Sequence, residues 1–212
     1  MLLAFDTATP AVTVALHDGE RVVAHSTTVD ARRHGELLAP TIQALLDEAW
    51  IPRQDVTAIA VGVGPGPFTG LRVGLVTARM LARVLEIPVY GVCTLDVVAA
   101  QAVDEGAVAG PFRVATDARR KEVYWASYDE GGVRLDGPHV DRPADVPGEG
   151  PVVGAGALLY SDSFPQATGP DHPDARWLAQ VVTDERAELL DPEPMYLRRP
   201  DAATPGKRKK VS

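Results

Sequence analysis

The spacing of apolar positions changes several times along the first hundred residues. Leu2 to Phe5 is a short apolar run that stops at Asp6-Thr7, and Ala11 to Leu16 alternates Val12, Val14 and Leu16 with smaller residues. Both patterns predict strands. His17-Asp18-Gly19-Glu20 predicts a hairpin turn, because Asp-Gly readily takes positive φ. Arg21 to Val29 is then the returning strand of a three-stranded antiparallel meander. Helical spacing follows within Arg32 to Trp50, where Leu37, Leu38, Ile42, Leu45, Leu46 and Ala49 fall on one stripe. Pro40 inside that run implies a kink or a late helix start, since proline removes a backbone hydrogen bond. Ala58–Val63 reads as a fourth strand, Phe68–Leu85 as a helix, Pro88–Val92 as a fifth strand and Leu95–Val103 as a third helix.

This βββαβαβα order predicts a ribonuclease H-like lobe over residues 1–104. The second half repeats it in reduced form. At a constant offset of 111, Asp6 falls on Asp117, Val12 on Val123, Ala15 on Ala126 and Asp18 on Asp129. Val61-Gly62-Val63-Gly64 finds a counterpart in Val153-Gly154-Ala155-Gly156. The interval between the aspartate and the glycine is 19 residues shorter in the second half, about the length of the first helix. Pro138–Pro151, rich in Pro and Gly, stands in its place. The expected architecture is α/β: two ribonuclease H-like lobes of the actin/sugar-kinase/Hsp70 type. The second lobe, 105–190, is reduced, and a C-terminal segment, 191–212, follows. In such folds a nucleotide lies in the cleft, strand-end aspartates hold Mg²⁺ and glycine loops hold phosphates.

The candidate chemistry sits where the strands end. Asp6-Thr7 suits either a hydrated Mg²⁺ or an Asx-type turn that stops the strand. Asp117 is its counterpart in the second lobe. The loop carrying Gly62, Gly64, Gly66 and Gly70 leads from a strand into a helix, a geometry that offers N–H groups to an anion. Its spacing is not that of a Walker loop, and Pro65 and Pro67 remove two donors, so tight packing is the other use of its glycines. The following helix has two apolar stripes. Leu71, Leu75, Ala78, Ala82 and Leu85 suit the parent sheet; Val73, Val76, Met80 and Val84 lie elsewhere, edged by Arg72, Arg79 and Arg83. A second stripe means a second cover, either the chain's own domain or another subunit. Neither His-x-x-x-His nor Cys-x-x-Cys occurs, so no transition-metal site is expected. His34 reads as a helix-end or contact residue.

Composition narrows the classes. At 212 residues, 45% hydrophobic and 24% charged, the chain suits a folded globular protein. A net charge of −8 excludes a surface that is basic throughout. The one basic run, Lys207-Arg208-Lys209-Lys210, reads as a solvated tail or an RNA-touching arm. A single cysteine, Cys93, points to a reducing compartment, and the absence of a long apolar run to a cytoplasmic protein without a membrane span.

Taken together, several motifs resemble the bacterial TsaB family, also called YeaZ. They are D-T-A-T at Asp6–Thr9, the lone His34, G-V-G-P-G-P-F-T-G-L-R-V-G at Gly62–Gly74, G-V-C-T-L at Gly91–Leu95, D-A-R at Asp117–Arg119, E-V-Y-W-A at Glu122–Ala126 and P-M-Y-L-R at Pro194–Arg198. Pro67 stands where a serine is usual, and Cys93 where the family often has serine. The resemblance implies a non-catalytic subunit in synthesis of N6-threonylcarbamoyladenosine (t6A) at position 37 of tRNA. It implies a homodimer when alone, a heterodimer with the transferase TsaD through the first two helices, docking of the ATPase TsaE on that pair, and tRNA contact mainly through TsaD. Thr94 and Val98 would stand at the positions of TsaD's metal-binding histidines. No cofactor is implied for this chain, and Asp6, Thr7, Gly62, Gly64, Gly66, Gly70 and Asp117 would be a vestigial nucleotide loop. His34, Leu37, Leu38, Thr41, Leu45, Phe68, Thr69, Arg72, Val73, Val76 and Met80 would be contact candidates. The alternative is a small ATP/Mg²⁺-binding transferase or kinase of the same fold.

Overall fold

A computed structural model describes residues 1–198; the Lys207–Lys210 run lies outside the described residues. The first sheet contains β1 (Leu2–Asp6), β2 (Ala11–His17), β3 (Val22–Val29), β4 (Ala58–Gly62) and β5 (Val89–Val92), in the order β3-β2-β1-β4-β5. Its helices in chain order are α1 (His34–Glu48) and α2 (Phe68–Leu85), followed by α3 (Thr94–Asp104). The second sheet contains β6 (Phe112–Asp117), β7 (Val123–Tyr128), β8 (Arg134–Asp141), β9 (Val152–Val153) and β10 (Ala167–Thr168), in the order β8-β7-β6-β9-β10. The two orders are the same, and in both the first three strands are antiparallel and the last two join in parallel. The duplicated α/β fold expected from the sequence is therefore present.

The reduction is also where the spacing put it. Between β8 and β9 stands a single 3-10 turn, Pro143–Asp145, in place of a helix like α1. The counterpart of α2 is α4 (Ala155–Leu159), barely more than one turn, and that of α3 is α5 (Ala175–Thr183).

Alternation along β1 sets the layers. Leu3 and Phe5 point to a core shared with α1 and α2. Leu2 and Ala4 point the other way, to Val97 of α3 and to Ala175, Leu178 and Ala179 of α5. Most of α3 then packs on the second sheet, with Leu95, Val98 and Ala102 against Phe112, Val114 and Tyr128. Each lobe's last helix thus lies between the sheets, a sandwich that fixes the strand ends facing one another.

Two details differ from the sequence reading. The first helix does not start late; it runs from His34 through Pro40, an exposed position. The constant offset also slips. Asp6 pairs with Thr13, whereas Asp117 pairs with Val123, so the second connection is one residue shorter and Val123 is the counterpart of Thr13, not Val12.

Candidate functional site

The glycine loop is filled by the chain's own backbone. A Cβ on Gly62 would stand 1.8 Å from Asp6 Oδ2, on Gly66 2.1 Å from the Ala8 carbonyl oxygen, and on Gly70 2.4 Å from that of Thr7. Only glycine lets the Asp6–Thr9 turn enter the loop this closely. Gly64, at φ 94°, packs on Leu71 instead. Thr7 Oγ1 donates a 2.8 Å hydrogen bond to the Gly70 carbonyl, tying the turn to the start of α2. His34, buried at the start of α1, contacts the Thr9 carbonyl through Nε2 at 2.8 Å. One turn therefore anchors the N-termini of both α1 and α2.

Asp6 is wholly buried. Its Oδ1 accepts from Ala8 N at 2.6 Å and its Oδ2 from Thr94 Oγ1 at 2.7 Å. Thr94 Oγ1 accepts in turn from Gly64 N at 3.2 Å. Burial pushes the Asp6 carboxyl above its ordinary value, against the lowering by Thr94 and Ala8. The Ala8 bond realises the Asx-type turn read from the sequence. Asp117 is only half-buried, and its Oδ1 accepts from Arg119 N at 2.8 Å. The two aspartates are not equivalent because the glycines are not in the same register. Gly62 makes room for Asp6, but Gly154 makes room for the Ala115 carbonyl, not for Asp117.

Two small cavities lie beside the Asp6–Thr9 turn, where the strand ends of the lobes face one another. One, about 220 Å³, lies between Ala8–Pro10 and the Thr116, Asp117, Ala155 and Leu159 side, with His172. The other, about 150 Å³, lies between Thr7–Pro10, His34, Thr69, Gly70 and Arg119. Each is below the roughly 300 Å³ at which small-molecule sites usually begin. Thr116 Oγ1 and His172 Nδ1, in the wall of the first, are buried without a protein partner. Among the described residues no three metal-binding side chains cluster.

The α1–α2 surface divides into buried and open parts. Leu38 (1% exposed) and Leu45 (4%) belong to the chain's own core, which withdraws them from any contact surface. Their stripe faces the sheet, while Leu37, Thr41 and Val73 are half-buried at its edge. The other α2 stripe is open: Val76, Met80 and Val84 are 59%, 60% and 73% exposed. Thr69 is exposed as well.

In the sequence the residues after 190 stand out only as a motif, yet they shape this surface. Gly91 and Leu190 exchange backbone hydrogen bonds, and Met195 N donates to the Val63 carbonyl. Tyr196 covers Phe68, ring centroids 4.7 Å apart, and its hydroxyl accepts from Arg72 Nε at 2.8 Å. Arg79 Nε donates to the Pro192 carbonyl at 2.9 Å and its guanidinium pairs with Glu193. Arg198 donates to the Ala118 carbonyl and pairs with Glu122. A strap therefore runs from the first lobe, past α2, to the second. Periodicity does not reveal such a segment; its sequence signal is the Pro194–Arg198 motif, with the aromatic Tyr196 in a proline-rich stretch.

Comparison with known proteins bears on this geometry. A family model described as "TsaD: tRNA N6-adenosine threonylcarbamoyltransferase" matches residues 21–169. The tRNA threonylcarbamoyladenosine biosynthesis protein TsaB of Escherichia coli is 37% identical, over 76% of this chain and 74% of that protein. The chain belongs to the TsaB family. An uncharacterised protein of Mycobacterium tuberculosis is 46% identical over 95% of this chain and 93% of its own length. The solved structure of YeaZ from Pseudomonas aeruginosa superposes with a TM-score of 0.78 at 32% identity, covering 92% of this chain and 99% of that one. A second, from the same organism, is titled an uncharacterised protein with similarity to peptidase YEAZ, with a TM-score of 0.80 and 33% identity over 93% and 99% of the two chains.

The motifs that resemble the TsaB family converge in space. The Asp6–Thr9 turn sits in the Gly62–Gly74 loop, Thr94 holds both, and the Pro194–Arg198 strap links the loop to Ala118 and Glu122.

Proposed function

We propose that this chain is a non-catalytic adaptor in tRNA t6A biosynthesis, activating a TsaD-like threonylcarbamoyl transferase by pairing with it through α2. Family membership supports the pathway. The observation that carries the pairing is the open stripe Val76, Met80 and Val84 on a helix whose opposite face is already in the core. Burying three such side chains, each more than half exposed, contributes about 1–2 kcal/mol apiece before the costs of association. In the absence of the transferase the same stripe pairs two copies of this chain, and a TsaE-like ATPase docks on the heterodimer.

The adaptor uses no nucleotide or metal of its own. Asp6 is caged by Thr94 and the turn backbone, so it has no face for a hydrated Mg²⁺, and Thr7-Ala8 backbone stands where the loop would receive a phosphate. Thr94, at the position of a transferase metal ligand by resemblance, spends its hydroxyl on Asp6. The protein acts in the cytoplasm, where tRNA modification takes place; among the described residues no helix is long and apolar enough to cross a membrane. The test mixes the purified chain with a TsaD-like transferase and follows complex mass by light scattering and t6A formation. A heterodimer and transfer that needs both chains are expected. Transfer by this chain alone, or a transferase equally active without it, contradicts the proposal.

A further inference from the structure

The second sheet has a face that its own lobe covers only in part. Arg113, Ala115, Trp125 and Ser127 share it, since Arg113 lies opposite Ser127 and Ala115 opposite Trp125. Ala157 of α4 packs with Ala115 and Trp125. Over Arg113 the cover is the loop 147–150, part of the β8–β9 connection that stands in place of a helix like α1. Between this loop, Arg113 and Leu135 of β8 lies a cavity of about 310 Å³.

Arg113 is 8% exposed, and the loop wraps its guanidinium. Gly148 and Gly150, at φ of 88° and 101°, turn the backbone there. Nη1 donates to the Pro147 and Gly148 carbonyls at 2.7 and 2.9 Å, and Nη2 donates to the Gly150 carbonyl at 3.2 Å. These bonds leave Nε–H and the second Nη2 hydrogen without a protein partner among the described residues. The carbonyls are neutral, so they answer the shape of the guanidinium and not its charge. No carboxylate among the described residues pairs with it, and burial alone pushes it below its ordinary value. A cation withdrawn from water with no opposite charge is costly, and in a concave site it marks a place for an anion.

The remaining lining decides which anion. Phe112, Trp125, Leu135 and Pro147 supply apolar walls. Trp125 Nε1 is taken by Asp141 and the Tyr128 hydroxyl by Asp96, so both rings offer the cavity apolar surface. Ser127 adds a hydroxyl with no protein partner among the described residues. Asp136 and Glu149, both exposed, also line the cavity. Two carboxylates beside one guanidinium disfavour a doubly charged guest such as phosphate.

We infer that this cavity binds the carboxylate of a monoanion with an apolar body, its oxygens held by Arg113 Nε and Nη2 and by Ser127 Oγ. A carboxylate matches the open edge of a guanidinium bidentately. The same chemistry occurs in a free organic acid and at the C-terminus of a peptide. The site uses neither α2 nor the Asp6–Thr9 turn, so it stands or falls apart from the adaptor reading.

The test follows amide NMR shifts of the full-length chain titrated with phenylacetate, phenylacetamide, N-acetyl-leucyl-leucine and inorganic phosphate. Phenylacetate is expected to shift the amides around Ser127 and Gly148 with a Kd of about 1–10 mM, the range for a ligand of its size. Phenylacetamide and phosphate should bind about tenfold more weakly or worse. Tighter binding of the dipeptide than of phenylacetate supports the site with a peptide C-terminus as its source; the reverse order supports it with a free acid. Leu135→Glu, at a position 65% exposed, keeps the fold and adds a carboxylate to the lining. It and Arg113→Met should each weaken phenylacetate about tenfold, and Ser127→Ala about threefold to fivefold. Arg113→Met also releases the loop, so Leu135→Glu carries the test if that variant does not fold. Equal binding of the acid and the amide, phosphate as tight as phenylacetate, wild-type affinity in Leu135→Glu, or no shift at about 50 mM phenylacetate overturns the inference.

Discussion

Thr94 Oγ1 donates a 2.7 Å hydrogen bond to Asp6 Oδ2, and both side chains are fully buried. The bond joins the end of β1 to the first residue of α3, and through Gly64 N it also holds the glycine loop. Replacing Thr94 with valine keeps the shape but strands a buried carboxylate oxygen and a backbone N–H. A loss of about 2–4 kcal/mol in urea-measured stability is expected. Thr94→Ser, which keeps the hydroxyl, should cost about 1 kcal/mol, the worth of the buried methyl group.

Asp6 gives the protein a pH signature. Burial raises its folded pKa above the ordinary 3.8, so the folded state holds this proton more tightly than the unfolded chain. The resulting stability is fully present below the unfolded value and is lost as pH rises through the folded pKa. Relative to Asp6→Asn, the wild type should therefore lose stability from about pH 4 upward, and the difference should level off once Asp6 ionises in the folded state. Denaturation midpoints of the two proteins across that range measure it; a difference that does not change with pH counts against the caged carboxyl.

Gly70 is a close-approach position, with a Cβ there 2.4 Å from the Thr7 carbonyl oxygen and 3.2 Å from His34 Nε2. Gly70→Ala should lower stability by about 1–3 kcal/mol by forcing the turn and α2 apart. Gly110→Ala, where nothing lies within 4 Å, serves as the comparison and should melt at the wild-type temperature.

Removing the Tyr196 ring uncovers Phe68 and releases Arg72. Tyr196→Ala should cost about 1–2 kcal/mol, because the aromatic pair and a hydrogen bond are both removed. Hydrogen exchange should rise at Met195 N, which donates to Val63. Unchanged exchange there would show that the strap is held without the ring.

Much of this is legible in the sequence because the strands end on residues with a physical job. Asp6 and Asp117 mark the duplication, and the shorter interval after Asp117 locates the missing helix, although the strand registers carry Asp6 onto Gly62 and Asp117 onto Gly156, not onto the Gly154 read from the sequence. The bounds of α2 follow from its flanking Pro67 and the run of helix formers behind it. What escapes depends on contacts distant in sequence. Periodicity gives a stripe on α1 but not which way it faces, so Leu38 and Leu45 stand among the contact candidates until burial places them in the core. The exchange of α3 and α5 between sheets, the one-residue slip before β7 and the strap across α2 leave no local pattern. Asp6 looks available for Mg²⁺ in the sequence because its cage, Thr94, lies 88 residues away.

The adaptor claim is tested most directly by Val76→Glu. Val76 is 59% exposed, so the variant should fold with stability within about 0.5 kcal/mol of wild type. A buried unpaired carboxylate in the centre of an apolar contact should abolish the heterodimer. Light scattering with a TsaD-like transferase should then show two separate species, and t6A formation should fall to the level of the transferase alone. A heterodimer of normal mass with normal t6A formation would contradict the account.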